Sequence, residues 1–183
     1  MHSIEFFVCP QRVDWTEEDP VGDWLWGIRV DGVDLRAVAA DATRERWTAE
    51  LAESEPDLTD AARERIVLGQ HAGLSEEDLV SPADHFTGRS AEWFAEAGDD
   101  RTVLLGCRCG VWACWPLCAR LTVDADTVTW SGFLQPYRRE EWGELPIGPY
   151  VFERTAYEKA LAHPTRLTSD PLAEALREPD EDA

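Results

Sequence analysis

The sequence predicts an α+β domain of two layers, a mixed or antiparallel sheet of five or six strands with helices on one face. Three observations carry this. Apolar residues alternate with period two at Trp24, Trp26, Ile28 and Val30. Helical stripes at i, i+4 fill the stretch that follows. Strand signals then dominate beyond residue 100, with the early strands returning to the sheet. Residues 1–177 read as one domain, and 178–183 as an acidic flexible tail, because four acids in six residues with Pro179 cannot bury apolar area.

Taken in order, Ile4 to Val8 is β-branched and aromatic and stops at Cys9-Pro10, which predicts a first strand. Asp14 to Asp23 carries Pro20 and Gly22 among acids and reads as a loop. The strand from Trp24 to Val30 ends in an Asp31-Gly32 turn. Asp34 caps a helix running through Leu35, Val38 and Ala42, with Trp47 and Leu51 continuing the stripe and a break expected near Asp41. Thr59 caps a second helix through Ile66 and Val67 that ends at Gly69. Gly73, Pro82 and Gly88 punctuate a looping stretch holding His71 and His85, and Ser90 caps a short helix with Trp93 and Phe94, closed by Gly98.

The second half reads as sheet: Thr102 to Cys107, then Leu117 to Val123 and Thr127 to Phe133 joined through Asp124-Ala125-Asp126 as a hairpin, then Ile147 to Phe152. Thr155 to Ala162 is helical, with Tyr157 and Leu161 on one face, and Asp170 to Arg177 forms a last turn or two. Trp24, Trp26, Leu105, Leu121, Val123, Trp130 and Phe152 are the expected core.

Composition bounds the function. The 183 residues hold 37 acids against 17 bases, for a net charge of −20. That disfavours nucleic acid as a direct partner, because phosphate contacts require cations. Leu, Ile, Val and Phe make up about 22% of the chain, just above the roughly 20% below which charged chains stay disordered. Nine Trp add to the core. The uncharged run from Val111 to Trp115 meets Pro116 long before the about 18 apolar residues of a spanning helix. The amino end lacks the basic start and apolar stretch of a secretory signal. A cytoplasmic location away from membranes is expected, and nothing sets an oligomeric state.

Cys107, Cys109, Cys114 and Cys118 form the densest constellation, in the pattern C-x-C-x4-C-x3-C. Four thiolates suit zinc, which prefers a tetrahedral set at about 2.3 Å from each sulfur. Gly110 and Pro116 help the chain to turn. Two considerations weigh the other way: the spacing is not that of a zinc knuckle or ribbon, and a Cys118 placed inside a strand is aimed away from the loop. The expectation is therefore reduced thiols that pack as small hydrophobes, with no cofactor favoured and zinc the ion the four could take. A nucleophilic cysteine would need a base, and no spacing brings a histidine near.

Val103-Leu104-Leu105-Gly106-Cys107-Arg108-Cys109-Gly110, Cys114-Trp115-Pro116-Leu117, Val128-Thr129-Trp130-Ser131-Gly132-Phe133 and Gly148-Pro149-Tyr150-Val151-Phe152 followed by Tyr157 together resemble a group of uncharacterised bacterial proteins. The resemblance spans residues 103–161 and implies no activity and no catalytic residue. In that group a Gly commonly stands where this chain has Ala113, and Cys107 and Cys118 vary, which implies that a four-thiolate site is not the shared feature.

Tyr137, Arg138, Arg139 and Trp142 form a second cluster, in which guanidinium groups beside aromatic walls could grip a carboxylate or phosphate. With acids in such excess, internal pairing of these arginines is the expected outcome. His85 is the histidine best placed in a loop to join a contact site. The leading functional expectation is a non-enzymatic, inhibitor-like acidic protein that binds a basic protein partner. The alternatives are a small-molecule binder or enzyme with a Trp-lined pocket, and a structural zinc protein using residues 107–118.

Overall fold

The computed structural model describes residues 1–10, 24–89 and 100–177. The expected loop at Asp14–Asp23, the helix at Ser90–Gly98 and the tail at 178–183 lie outside the described residues. In chain order the elements are β1 (Ile4–Pro10), β2 (Trp24–Val30), β3 (Val33–Asp34), α1 (Leu35–Ser54), α2 (Asp60–Leu68), β4 (His71–Ala72), β5 (Leu74–Ser75), α3 (Pro82–His85), β6 (Arg101–Cys107), β7 (Leu117–Val123), β8 (Thr127–Leu134), α4 (Arg139–Trp142), β9 (Tyr150–Glu153), α5 (Arg154–Ala162) and β10 (Thr165–Arg166), with a 3-10 turn at Pro136–Arg138 before α4. No helix among the described residues is long and apolar enough to cross a membrane.

The fold is α+β, and its described strands form two five-stranded sheets. The first is mixed, in the order β10-β1-β2-β3 with β5 also on β2, and the parallel pair is β1 with β10. The second is antiparallel, in the order β4-β6-β7-β8-β9. One core joins them. Phe6, Val8, Trp26 and Ile28 from the first sheet meet Val103, Leu105, Trp130 and Phe152 from the second, with Tyr157 of α5 between them. The Phe6 ring lies 5.5 Å from that of Tyr157 and 6.5 Å from that of Trp130. Of the expected core, Trp24, Leu121 and Val123 are only partly buried and pack on its rim.

Local chemistry sets the element ends. Asp31 and Gly32 both take positive φ, 51° and 81°, as the tight turn between β2 and β3 requires. The Asp34 carboxylate accepts the Arg36 N–H and caps α1, which runs unbroken past Asp41 because no Gly or Pro interrupts 35–54. Thr59 caps α2 by accepting from Ala62 N. The stretch read as looping between α2 and α3 is partly strand. His71-Ala72 pairs with β6 of the second sheet, Leu74-Ser75 pairs with β2 of the first, and the chain changes sheets at Gly73.

Both faces of the first sheet are covered. Behind it, Arg36 is 2% exposed and is held between two carboxylates, with Nη2 2.8 Å from Asp34 and 2.7 Å from Asp170. This triad fastens the carboxy-terminal stretch to the start of α1.

Candidate metal centre

The second sheet presents its cysteines at one end. β6 stops at Cys107, and a tight turn through Gly110, at φ 81°, returns the chain to β7 at Leu117. Gly110 N donates to Cys107 O at 3.0 Å and Cys114 N to Val111 O at 3.1 Å, so the turn is closed by its own backbone. These bends bring the Sγ atoms of Cys107, Cys109 and Cys114 within 4.8 Å of one another. Three thiols at that spacing could hold a metal ion, and no disulfide joins them.

Backbone amides already point at the sulfurs. Cys109 N donates to Cys107 Sγ at 3.4 Å, and Val111 N donates to the Cys109 sulfur. Burial pushes the Cys107 thiol up to about 12. At Cys109 burial also raises the pKa, but the Val111 amide and the neighbouring Cys107 and Cys114 thiols outweigh it and hold the group below the ordinary thiol range. Cys114 is exposed.

Cys118 stands apart. It lies inside β7, opposite Val103 and Leu134, where burial pushes its pKa up to about 12. Alternation along the strand aims its side chain into the core, so among the described residues the cluster comprises three cysteines.

The turn is held from behind by groups that the sequence did not tie to the cysteines. His71, fully buried, donates from Nδ1 to Trp115 O at 3.1 Å, and burial pushes its pKa down to about 4 against that hydrogen bond. The Trp115 ring packs 5.4 Å from Trp47 of α1 and 6.0 Å from Trp142 of α4. Gln70 Oε1 accepts from Trp47 Nε1 at 2.9 Å and from Trp115 Nε1 at 3.5 Å, while its amide nitrogen donates to Thr43 Oγ1 and Val67 O. Nothing in the spacing of Gln70 marks it for this position.

The two clusters read separately from the sequence are one neighbourhood. Tyr137, 61% exposed, donates its hydroxyl to Ala113 O at 2.5 Å. Trp142 is buried against Trp47 and Trp115. Arg138 lies over the Trp115 and Trp142 rings and pairs with Glu50 at 2.8 Å and Glu141 at 2.6 Å, so its charge is spent inside the molecule. Arg139 is exposed at the start of α4. His85 is buried, donates from Nε2 to Val103 O at 2.7 Å, and packs its ring 5.5 Å from Trp112 in the same turn. The signal for this convergence was present in the hairpin: continuing the β7–β8 register outward from Cys118↔Leu134 lays residues 135–138 beside residues 114–117.

No family model matches the chain, and no curated protein or solved structure matches it.

Proposed function

We propose that the protein binds a soft divalent cation, zinc foremost, through the thiolates of Cys107, Cys109 and Cys114. The observation that supports this is the meeting of three sulfurs on one turn whose amides donate to two of them. Sulfurs bound to one zinc at about 2.3 Å stand about 3.8 Å apart, so closure of at most about 1 Å completes the set. Because Cys114 is exposed, water or an added ligand would complete a fourth position. The ion neutralises thiolates that would otherwise repel one another and stiffens the turn at the end of the second sheet.

Titration of reduced protein with Co2+ tests this. Thiolate-to-cobalt charge transfer saturating at one ion per chain, displaced by zinc and lost in Cys109→Ser, is the expected result. Saturation unchanged in Cys109→Ser, or no such band, overturns the reading.

A second reading, docking of a basic protein partner, is favoured by the pairing of the cations. Arg29, Arg44, Arg63, Arg138, Arg154 and Arg166 are each engaged by carboxylates of the same chain. Glu53, Glu55 and Asp57 at the α1–α2 connection remain exposed. Such a field speeds encounter with a cationic surface. A cationic partner recovered from the native host should dissociate as salt rises from about 50 to 500 mM, since exposed charges are screened over about 10 Å at 0.1 M.

A further inference from the structure

We infer that Cys109 and Cys114 form a site of reversible oxidation by peroxide, and that closing their disulfide expels the ion; the second clause rests on the metal reading above. The geometry that carries this is proximity joined to unequal access. Cys114 is exposed and Cys109 is partly exposed, whereas Cys9 and Cys118 are buried in the two sheets and lie apart from the turn. Cys107 is engaged at the end of β6, where its sulfur accepts the Cys109 amide. A bridge from Cys107 to Cys109 would close around a single residue. Cys109 and Cys114 flank Gly110, whose φ of 81° already bends the chain between them.

The chemistry closes without a further reagent. The Cys114 sulfur attacks one oxygen of hydrogen peroxide, and the O–O bond breaks. This gives a sulfenic acid at Cys114 and a hydroxide, which takes a proton from solvent to become water. The Cys109 sulfur then attacks the Cys114 sulfur, the S–S bond forms, and the S–O bond breaks to release a second water after protonation. The two sulfurs are each oxidised by one electron, and the peroxide is reduced by two. An ion held by three thiolates is left with Cys107 alone and dissociates. A dithiol reductant reverses the bridge.

The test is stoichiometric peroxide on two samples of the full chain, one loaded with zinc and one treated with chelator. Each is followed by intact mass, by peptide mapping and, for the loaded sample, by a colorimetric zinc indicator. The expected result in both samples is a mass loss of about 2 Da per chain, a peptide linking Cys109 to Cys114, and recovery with dithiothreitol. The loaded sample should release one zinc per bridge. A bridge to Cys107 or Cys118, or gain of oxygen without a bridge, overturns the proposal. Zinc retained alongside the Cys109–Cys114 bridge overturns the expulsion clause. A chain that takes up no zinc refutes the metal reading, while the mapping on the chelator-treated sample still decides the disulfide. In Cys107→Ala the bridge should persist and in Cys114→Ala it should be lost; the opposite pattern refutes the pairing.

Discussion

Phe7 on β1 and Gly27 on β2 are register partners, and the Phe7 ring lies over the glycine where a side chain would otherwise stand. A methyl group at 27 would run into that ring, which is fully buried and carries the Arg29 guanidinium 4.8 Å from its centroid. Gly27→Ala is expected to lose about 1–3 kcal/mol through overpacking, read as a lower urea midpoint with an unchanged slope. A midpoint equal to that of the parent would show that Phe7 turns aside freely.

Removing the charge of Arg36 takes away the guanidinium held between the buried carboxylates of Asp34 and Asp170. Arg36→Ala should cost about 3–5 kcal/mol. Arg36→Lys should recover only part of this, because an ammonium cannot face two carboxylates with a planar fork. Chemical denaturation of the three proteins checks the order.

Acid should destabilise the metal-free protein through its buried imidazoles. Burial lowers the pKa of His85 against the hydrogen bond to Val103, and lowers His71 from 6.5 to about 4. Both are neutral in the fold, so below pH 6.5 the unfolded chain binds protons that the folded one refuses. The stabilisation is complete above pH 6.5 and is lost as pH falls through the folded pKa values, with His71 contributing at most about 3 kcal/mol. Denaturation midpoints between pH 7 and 4, compared with those of His85→Gln, should show a shallower fall in the variant.

DNA and RNA should show no measurable affinity at physiological salt, because a net charge of −20 opposes the cationic contacts that release counterions. Fluorescence anisotropy with labelled duplex and single strand would expose the contrary case as micromolar binding that weakens steeply with salt.

The parts of the fold readable from sequence are those whose pattern is complete within a few residues. The β7–β8 hairpin shows period two on both sides of Asp124-Ala125-Asp126, and its pairing of Val123 with Val128 follows. Asp34 and Thr59 announce α1 and α2 by capping them. β4, β5 and β10 are two residues each, too short to show a period, and exist because a neighbouring strand offers them hydrogen bonds. The separation of Cys118 from the other cysteines was readable, since a strand aims alternate side chains oppositely. The contribution of Gln70 was not, because it depends on where α2 delivers the chain.

The triad of Asp34, Arg36 and Asp170, with the β1–β10 pairing beside it, sets an order of events in synthesis. Residues 4–36 leave the ribosome long before residues 165–170 exist. Until those residues arrive, β1 has an open edge and Arg36 lacks one of its two carboxylates. The second sheet, by contrast, closes from contiguous chain between Arg101 and Glu153 once His71-Ala72 is present. The amino-terminal sheet is thus the first to be translated and the last to be completed, and a chain stalled before residue 165 would display an unpaired strand edge to its neighbours.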